Sequence, residues 1–123
     1  MLLIFNSGHE SYADISGCNG PYYYTSPDWK GPGWYRFTGA AGTRIPEMSP
    51  STAHCGTADS GWMRGVHPST PGDQAVATIC FDYGGGNDCF DFVNTTVINC
   101  KEYYLYNLPN VPYCSRRYCG SLV

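Results

Sequence analysis

Seven cysteines are the residues of this 123-residue chain most able to do chemistry. They are Cys18, Cys55, Cys80, Cys89, Cys100, Cys114 and Cys119. Thiols bind zinc, carry out redox chemistry or form disulfides, and proteins of reducing compartments seldom keep so many without one of the first two uses. Zinc sites favour close pairs such as Cys-x-x-Cys, whereas the tightest spacing here separates Cys114 from Cys119. The pattern therefore predicts a disulfide framework, a secreted or cell-surface location and no metal site.

The other reactive residues match no known catalytic pattern. His67 stands before Pro68, and three polar residues lie near it in sequence, namely Asp59, Ser60 and Asp73. There is no Gly-x-Ser-x-Gly elbow, and the glycines at 84–86 lack the Lys-Ser/Thr ending of a phosphate-binding loop. We therefore expect no catalytic residue, no cofactor and no enzyme activity, with a structural turn role for His67.

A calcium- or carbohydrate-dependent hydrolase is the alternative. Its calcium ion would need several oxygen ligands, and four oxygen-bearing side chains surround the glycine turn: Asp82, Asn87, Asp88 and Asp91. Such a set also arises by chance around a polar turn, so we expect no metal here.

Composition excludes two classes of partner. Only 14% of the residues are charged, the formal net charge is −3, and the largest basic cluster is Arg116 with Arg117, so nucleic acid is not an expected partner. No apolar run approaches the ~20 residues of a membrane span, so the chain itself is not expected to insert into a membrane. The apolar start at residues 1–5 lacks the basic region and the length of a signal peptide. If the protein is secreted, we expect either an export signal upstream of this chain or a chain that is a fragment.

The elements expected to position these residues are strands. Nine prolines punctuate the chain and would interrupt most long helices. Strand-like runs cover 34–37, 75–83, 89–98 and 103–108, and the second and third should form a hairpin around the glycine turn. Residues 46–74 are interpreted as one long irregular segment. The prediction is a mainly β, small disulfide-stapled domain with antiparallel hairpins and long irregular loops, spanning 18–120 after a weakly structured segment or domain edge at 1–17.

Several ordered motifs point to one family. The stretch from Gly33 to Glu47 reads Gly-Trp-Tyr-Arg-Phe-Thr-Gly-Ala-Ala-Gly-Thr-Arg-Ile-Pro-Glu. It is followed by Cys55-Gly56-Thr57-Ala58, Gly61-Trp62-Met63-Arg64-Gly65-Val66-His67-Pro68, Cys80-Phe81-Asp82-Tyr83, Asn99-Cys100, Tyr103-Tyr104-Leu105-Tyr106-Asn107-Leu108-Pro109 and Tyr118-Cys119-Gly120. Together they resemble the eight-cysteine extracellular domain of the uromodulin and pancreatic secretory granule glycoprotein family. The resemblance implies a non-catalytic interaction module of a secreted or cell-surface glycoprotein.

The resemblance also implies a disulfide pairing. Two family cysteines are missing together, one after Glu47 and one beside Cys89, which indicates that one whole bridge is absent. The remaining bridges implied by the family are Cys55–Cys119, Cys80–Cys89 and Cys18–Cys114, and Cys100 would be the free cysteine. The alternative pairing, Cys18–Cys100 with Cys114 free, stays open.

Two surface features bear on a partner. Asn94-Thr95-Thr96 is the only Asn-x-Ser/Thr sequon, so Asn94 is the predicted glycosylation site of an exported chain. The rings of Tyr22, Tyr23, Tyr24 and Trp29 could form a ligand surface, whereas Trp34, Phe37 and Trp62 are expected in the core. The expected partner is an extracellular protein or a glycan, and a purely structural spacer is the remaining alternative.

Overall fold

Seven strands form one mixed sheet. The computed structural model describes residues 2–5, 32–38, 42–51, 59–111 and 116–121, the first range by its backbone alone. The strands are β1 (Leu2–Phe5), β2 (Gly33–Phe37), β3 (Asp59–Arg64), β4 (Gln74–Asp82), β5 (Asp91–Asn99), β6 (Tyr104–Leu108) and β7 (Arg116–Tyr118). Their order across the sheet is β1-β2-β6-β5-β4-β3-β7, parallel at the two outer pairs and antiparallel between them. The described residues contain no helix, and hence none that could span a membrane. The predicted mainly β class is confirmed.

The predicted hairpin is the centre of this sheet. Strands β4 and β5 pair in antiparallel register, with Cys80 opposite Phe92. Three glycines in the connecting turn, Gly84, Gly85 and Gly86, have φ angles of 95°, 62° and 87°, which residues with a β-carbon rarely adopt. The hairpin therefore owes its sharp turn to a glycine run that the sequence already marks as a turn.

One face of the sheet carries the hydrophobic core. Alternate residues of a strand point to the same side, so the buried side chains of each strand gather on one face. The core comprises Tyr35, Phe37, Ile45, Met63, Ile79, Phe81, Val97, Tyr106, Leu108 and Tyr118. The rings of Phe37 and Tyr106 meet edge-to-face at 5.5 Å between centroids. Each fully buried apolar side chain contributes about 1.5–3 kcal/mol, so this face supplies most of the hydrophobic stabilisation within the part of the chain that the structure describes.

The strand residues that alternate with the core residues form the opposite face of the sheet, which we call the outward face. Cross-strand neighbours define it in three rows: Trp62 with Cys80 and Phe92, Arg64 with Thr78 and Asn94, and Val76 with Thr96. Apart from Trp62 and Cys80, which are buried, these side chains are exposed or half-buried. The outward face is thus open to solvent over much of β4 and β5.

The interpretation of residues 46–74 as wholly irregular is wrong, because β3 lies within it. Strand β3 is rich in residues of low strand propensity, and it is held by pairing with β4 on one side and β7 on the other. A β-carbon on Gly61 would lie 2.6 Å from the carbonyl oxygen of Arg117 in β7. Glycine therefore permits the close approach of β3 and β7, and tertiary pairing overrides the local pattern.

The expected core positions are corrected at one residue. Phe37 and Trp62 are buried, at 2% and 7% exposure. Trp34 is only half-buried, because it pairs with Asn107 and so alternates to the outward face, while its neighbour Tyr35 takes the core position. The predicted boundary between residues 17 and 18 lies outside the described residues.

Candidate functional site

A glutamate, a histidine and a tyrosine meet beneath the sheet. Glu47 comes from the loop at 42–51, His67 from the loop after β3, and Tyr106 from the middle of β6. His67 Nδ1 lies 2.6 Å from Glu47 Oε2, and its Nε2 lies 2.7 Å from the Tyr106 hydroxyl. The backbone N–H of His67 donates to the same Glu47 oxygen at 2.7 Å. His67 is buried at 4% exposure, so its two ring nitrogens depend on these two partners.

The hydrogen bonds favour one assignment of the protons. The backbone N–H of Ile45 donates to the Tyr106 oxygen at 3.0 Å, so the Tyr106 hydroxyl is free to donate to His67 Nε2. Nε2 therefore accepts, and the Nδ1–H donates to the Glu47 carboxylate. This arrangement satisfies a neutral imidazole and an ionised carboxylate.

Burial and neighbours shift the pKa values to match. Burial lowers the pKa of His67 below its ordinary value of 6.5, opposed by the hydrogen bond to Glu47 and assisted by the charge of Arg44. Partial burial would raise the pKa of Glu47, but the hydrogen bonds from His67 outweigh it and lower that pKa below 4.5. Burial also raises the pKa of the Tyr106 hydroxyl far above 10. All three groups thus keep the protonation states that the hydrogen bonds require.

Aromatic rings and one cation close the cluster. The ring of Tyr104 lies 4.5 Å from that of His67, centroid to centroid, and the Arg44 guanidinium lies 5.1 Å from the Tyr104 ring. The loop that carries Arg44 is fixed to the C-terminal segment, because Ser121 and Arg44 exchange backbone hydrogen bonds. The cluster therefore joins two loops to β6 and to the C-terminal segment.

Chemically, this arrangement is a hydrogen-bonded chain of Glu47, His67 and Tyr106 in which the imidazole and the phenol are buried. A general base needs a ring nitrogen that can reach a substrate proton, whereas His67 is 4% exposed and the Tyr106 hydroxyl bonded to its Nε2 belongs to a fully buried residue. Asp59, which lies near His67 in sequence, instead pairs with Arg116 at 3.5 Å. The expected turn role of His67 needs correction, because the residue is a buried link between strands and loops. The pattern Glu47…His67…Tyr106 spans too much sequence to be recognised without the fold.

The oxygen ligands proposed for calcium face different partners. Asp82 accepts hydrogen bonds from the Ser49 hydroxyl and from the backbone N–H of Gly84. Asp88 lies 3.9 Å from Arg64, and Asp91 accepts from the N–H of Phe92. Within the described ranges, no three His, Cys, Asp or Glu side chains converge in a way that could hold a metal ion.

Cysteines stabilise the hairpin and the end of the sheet. Cys80 and Cys89 are joined by a disulfide, as the family pairing implies. Cys119 is also disulfide-bonded, and its expected partner Cys55 lies outside the described residues. Cys100 is a free, half-buried thiol. Its assignment as the unpaired cysteine of the family pattern stays a prediction, because Cys18 and Cys114 also lie outside the described part.

Of the predicted surface residues, the structure describes Asn94 but not the aromatic group. Asn94 lies exposed in the middle of β5 on the outward face, and Thr78 Oγ1 lies 3.4 Å from its Oδ1. The aromatic residues Tyr22, Tyr23, Tyr24 and Trp29 lie outside the described residues. Three other exposed rings were not anticipated as a surface, namely Tyr83, Phe90 and Phe92, at 60%, 54% and 58% exposure. For Phe92, the sequence did contain a signal. The alternation Phe92-x-Asn94-x-Thr96 places the side chains of Phe92, Asn94 and Thr96 on one face of β5.

Comparison with known proteins identifies the family. The uromodulin-like domain family matches residues 35–120. The pancreatic secretory granule membrane major glycoprotein GP2 of Mus musculus is 39% identical over 92 residues, covering 71% of this chain and 17% of the relative. GP2 of Homo sapiens is 35% identical over 88 residues, covering 71% and 16%. Uromodulin of Rattus norvegicus is 35% identical over 88 residues, covering 71% and 14%. The matched segment thus spans about a sixth of these relatives, and the chain belongs to the uromodulin-like domain family.

Proposed function

We propose that this chain is a non-catalytic interaction module of an extracellular glycoprotein. Membership of the uromodulin-like family and the Cys80–Cys89 disulfide support a secreted or cell-surface location, because structural disulfides persist in oxidising compartments. The two GP2 relatives are named as glycoproteins, and each is several times longer than this chain. A domain of this size beside other domains commonly contributes a surface rather than a complete activity.

The observation that carries this proposal is the burial of His67 and Tyr106 in their hydrogen-bonded cluster with Glu47. Each ring nitrogen of His67 is engaged, and the residue is 4% exposed. The lowered pKa of His67 keeps the imidazole neutral, which suits a buried hydrogen-bonded link. The hydrogen bonds of these three side chains connect two loops to the sheet.

The rival proposal is a hydrolase that uses this same cluster. A broad screen of ester, glycoside and phosphate substrates, with and without calcium, should give no turnover with the folded domain. Turnover that His67→Gln abolishes while the circular dichroism spectrum is retained would overturn our proposal. Asp73→Asn is the matched control, because Asp73 lies exposed in a turn near His67 in sequence.

The class of partner is an extracellular protein or a glycan. Binding could use the rings of Tyr22, Tyr23, Tyr24 and Trp29, and a glycan array with the wild type beside Trp29→Ala tests that surface. Signals that disappear in Trp29→Ala would assign a glycan-binding role. If neither protein gives a signal, a glycan-binding role is excluded, and a protein partner or a structural spacer remains.

A further inference from the structure

The sequon of this chain lies in an unusual place, the centre of the sheet rather than a loop. Asn94 is exposed on β5, whose neighbours β4 and β6 are both paired to it. Its outward position follows from the register, in which Asn94 stands opposite Thr78. The contact with Thr78 uses Asn94 Oδ1, whereas a glycan is attached through Nδ2. The fold therefore leaves room for a sugar at the nitrogen that would carry it.

An exposed aromatic ring stands two residues before the sequon asparagine. Phe92 lies on the same face of β5 as Asn94, about 6.4–6.8 Å away along the strand. Phe92 is 58% exposed, which is uncommon for a phenylalanine in a central strand. Its cross-strand partner is Cys80, which is fully buried and bonded to Cys89, so the backbone beneath the ring is covalently fixed. A flat apolar ring is thus held within reach of a sugar on Asn94.

The other side of Asn94 borders a shallow cavity. It has a volume of about 320 Å³, and its lining includes Pro32, Val76, Thr96, Asn107 and Pro109. Val76 is 77% exposed at this edge. A glycan on Asn94 could therefore rest on Phe92 or in this cavity. The ring is the better partner for the first sugar, because the C–H groups on one face of N-acetylglucosamine match the electron-rich face of an aromatic ring.

We propose that Asn94 carries an N-linked glycan whose first N-acetylglucosamine packs against Phe92. Attachment joins Asn94 Nδ2 to the anomeric carbon of an oligosaccharide carried by a lipid diphosphate. The anomeric C–O bond to that carrier breaks, and the lipid diphosphate leaves with the amide proton. The inference rests on the proposed function only for the glycoprotein character of the exported protein. The glycan then covers the exposed ring and stiffens the hairpin.

The test is a cycle of variants secreted from cells that attach N-glycans. Peptide mass mapping first measures occupancy at Asn94, which should be high in the wild type and absent in Asn94→Gln. After enzymatic trimming to the first sugar, the glycosylated wild type should unfold about 3 °C above Asn94→Gln. In the Phe92→Ala background this difference should vanish. Phe90→Ala is the matched control, because Phe90 is 54% exposed on the same hairpin and outside the sequon strand, and the difference should persist.

Nuclear magnetic resonance tests the contact between the sugar and Phe92 independently of thermal stability. The ring current of Phe92 should shift proton resonances of the first N-acetylglucosamine upfield, and Phe92→Ala should return them to their free positions. An unoccupied Asn94 would overturn the whole inference. An occupied Asn94 with unchanged resonances in Phe92→Ala, or with a thermal difference lost in Val76→Ser instead, would overturn the docking on Phe92. None of these results bears on the turnover screen, so failure here is distinguishable from failure of the proposed function.

Discussion

At the scale of the residue, the state of His67 is fixed by what surrounds it. Glu47 and Tyr106 bond its two nitrogens, the ring of Tyr104 packs against it, and Arg44 adds a positive charge nearby. If His67 Nε2 were protonated, it would donate to the Tyr106 oxygen, which already accepts from the Ile45 N–H. The Tyr106 hydroxyl proton would then lose His67 as its acceptor. The folded structure therefore requires the neutral imidazole, and low pH should reduce the stability of the fold.

We expect the free energy of unfolding to fall as pH drops below about 6.5. The folded pKa of His67 is lowered, so the unfolded chain binds the proton first, and the contribution present above 6.5 is lost as pH falls through the folded value. The lowered pKa of Glu47 adds a loss of the same sign below 4.5. Denaturant unfolding between pH 7.5 and about 3 measures both windows. In His67→Gln, the free energy of unfolding should depend less on pH between 6.5 and 5.5. A wild-type chain that gains stability over that interval would contradict this assignment.

Tyr106→Phe should destabilise the domain by about 1–3 kcal/mol, because the buried Ile45 N–H and His67 Nε2 both lose their partner. The ring itself remains, so packing against Phe37 is preserved. Chemical denaturation measures the difference. Tyr83→Phe removes a hydroxyl from a 60% exposed ring and should change stability by under about 0.5 kcal/mol. Equal effects of the two changes would argue against the buried cluster.

At the scale of the element, sequence patterns succeeded where strands pair locally. The β4–β5 hairpin and β6 were predicted from alternation and from the glycine turn, because both are signals within a short window. Strands β1, β3 and β7 were missed, since β1 has only four residues, Asp59-Ser60-Gly61 has the composition of a turn and β7 has only three residues. The cluster around His67 was missed for a related reason. Its members come from separate elements that only the sheet order brings together.

Gly61→Ala tests whether close approach explains strand β3. The added β-carbon would lie 2.6 Å from the Arg117 carbonyl oxygen and 3.0 Å from Phe81 Cε1, so β3 and β7 would have to separate. We expect a loss of about 1–3 kcal/mol in the free energy of unfolding. Gly85→Asn is the control, because Gly85 faces open space at φ 62°, which asparagine tolerates. Stability unchanged in Gly61→Ala would show that the two strands are not in close contact.

At the scale of the whole molecule, covalent links complement a modest core. A chain of this length buries about two-thirds of its surface, and the described core occupies one face of a single sheet. The Cys80–Cys89 bridge closes a short loop at the centre of that sheet. The link thus restrains the unfolded chain where the two longest strands meet.

Replacing Cys80 and Cys89 together by alanine should lower stability by about 2.5 kcal/mol, the value expected for closing a loop of this length. Thermal unfolding of the oxidised protein measures the loss. Cys100→Ala is the matched control, because Cys100 is a free, half-buried thiol and its replacement should cost less. A larger effect at Cys100 than at the bridged pair would contradict this ranking.

The central claim is that the chain is an extracellular, disulfide-stapled β domain, and mass mapping of non-reduced peptides tests it most directly. Free thiols of the secreted, folded protein are first labelled, and the digested peptides are then compared before and after reduction. We predict a peptide linked through Cys80 and Cys89, a label on Cys100, and no label on Cys119. Labels on both Cys80 and Cys89, or stoichiometric zinc on the native protein, would contradict the account.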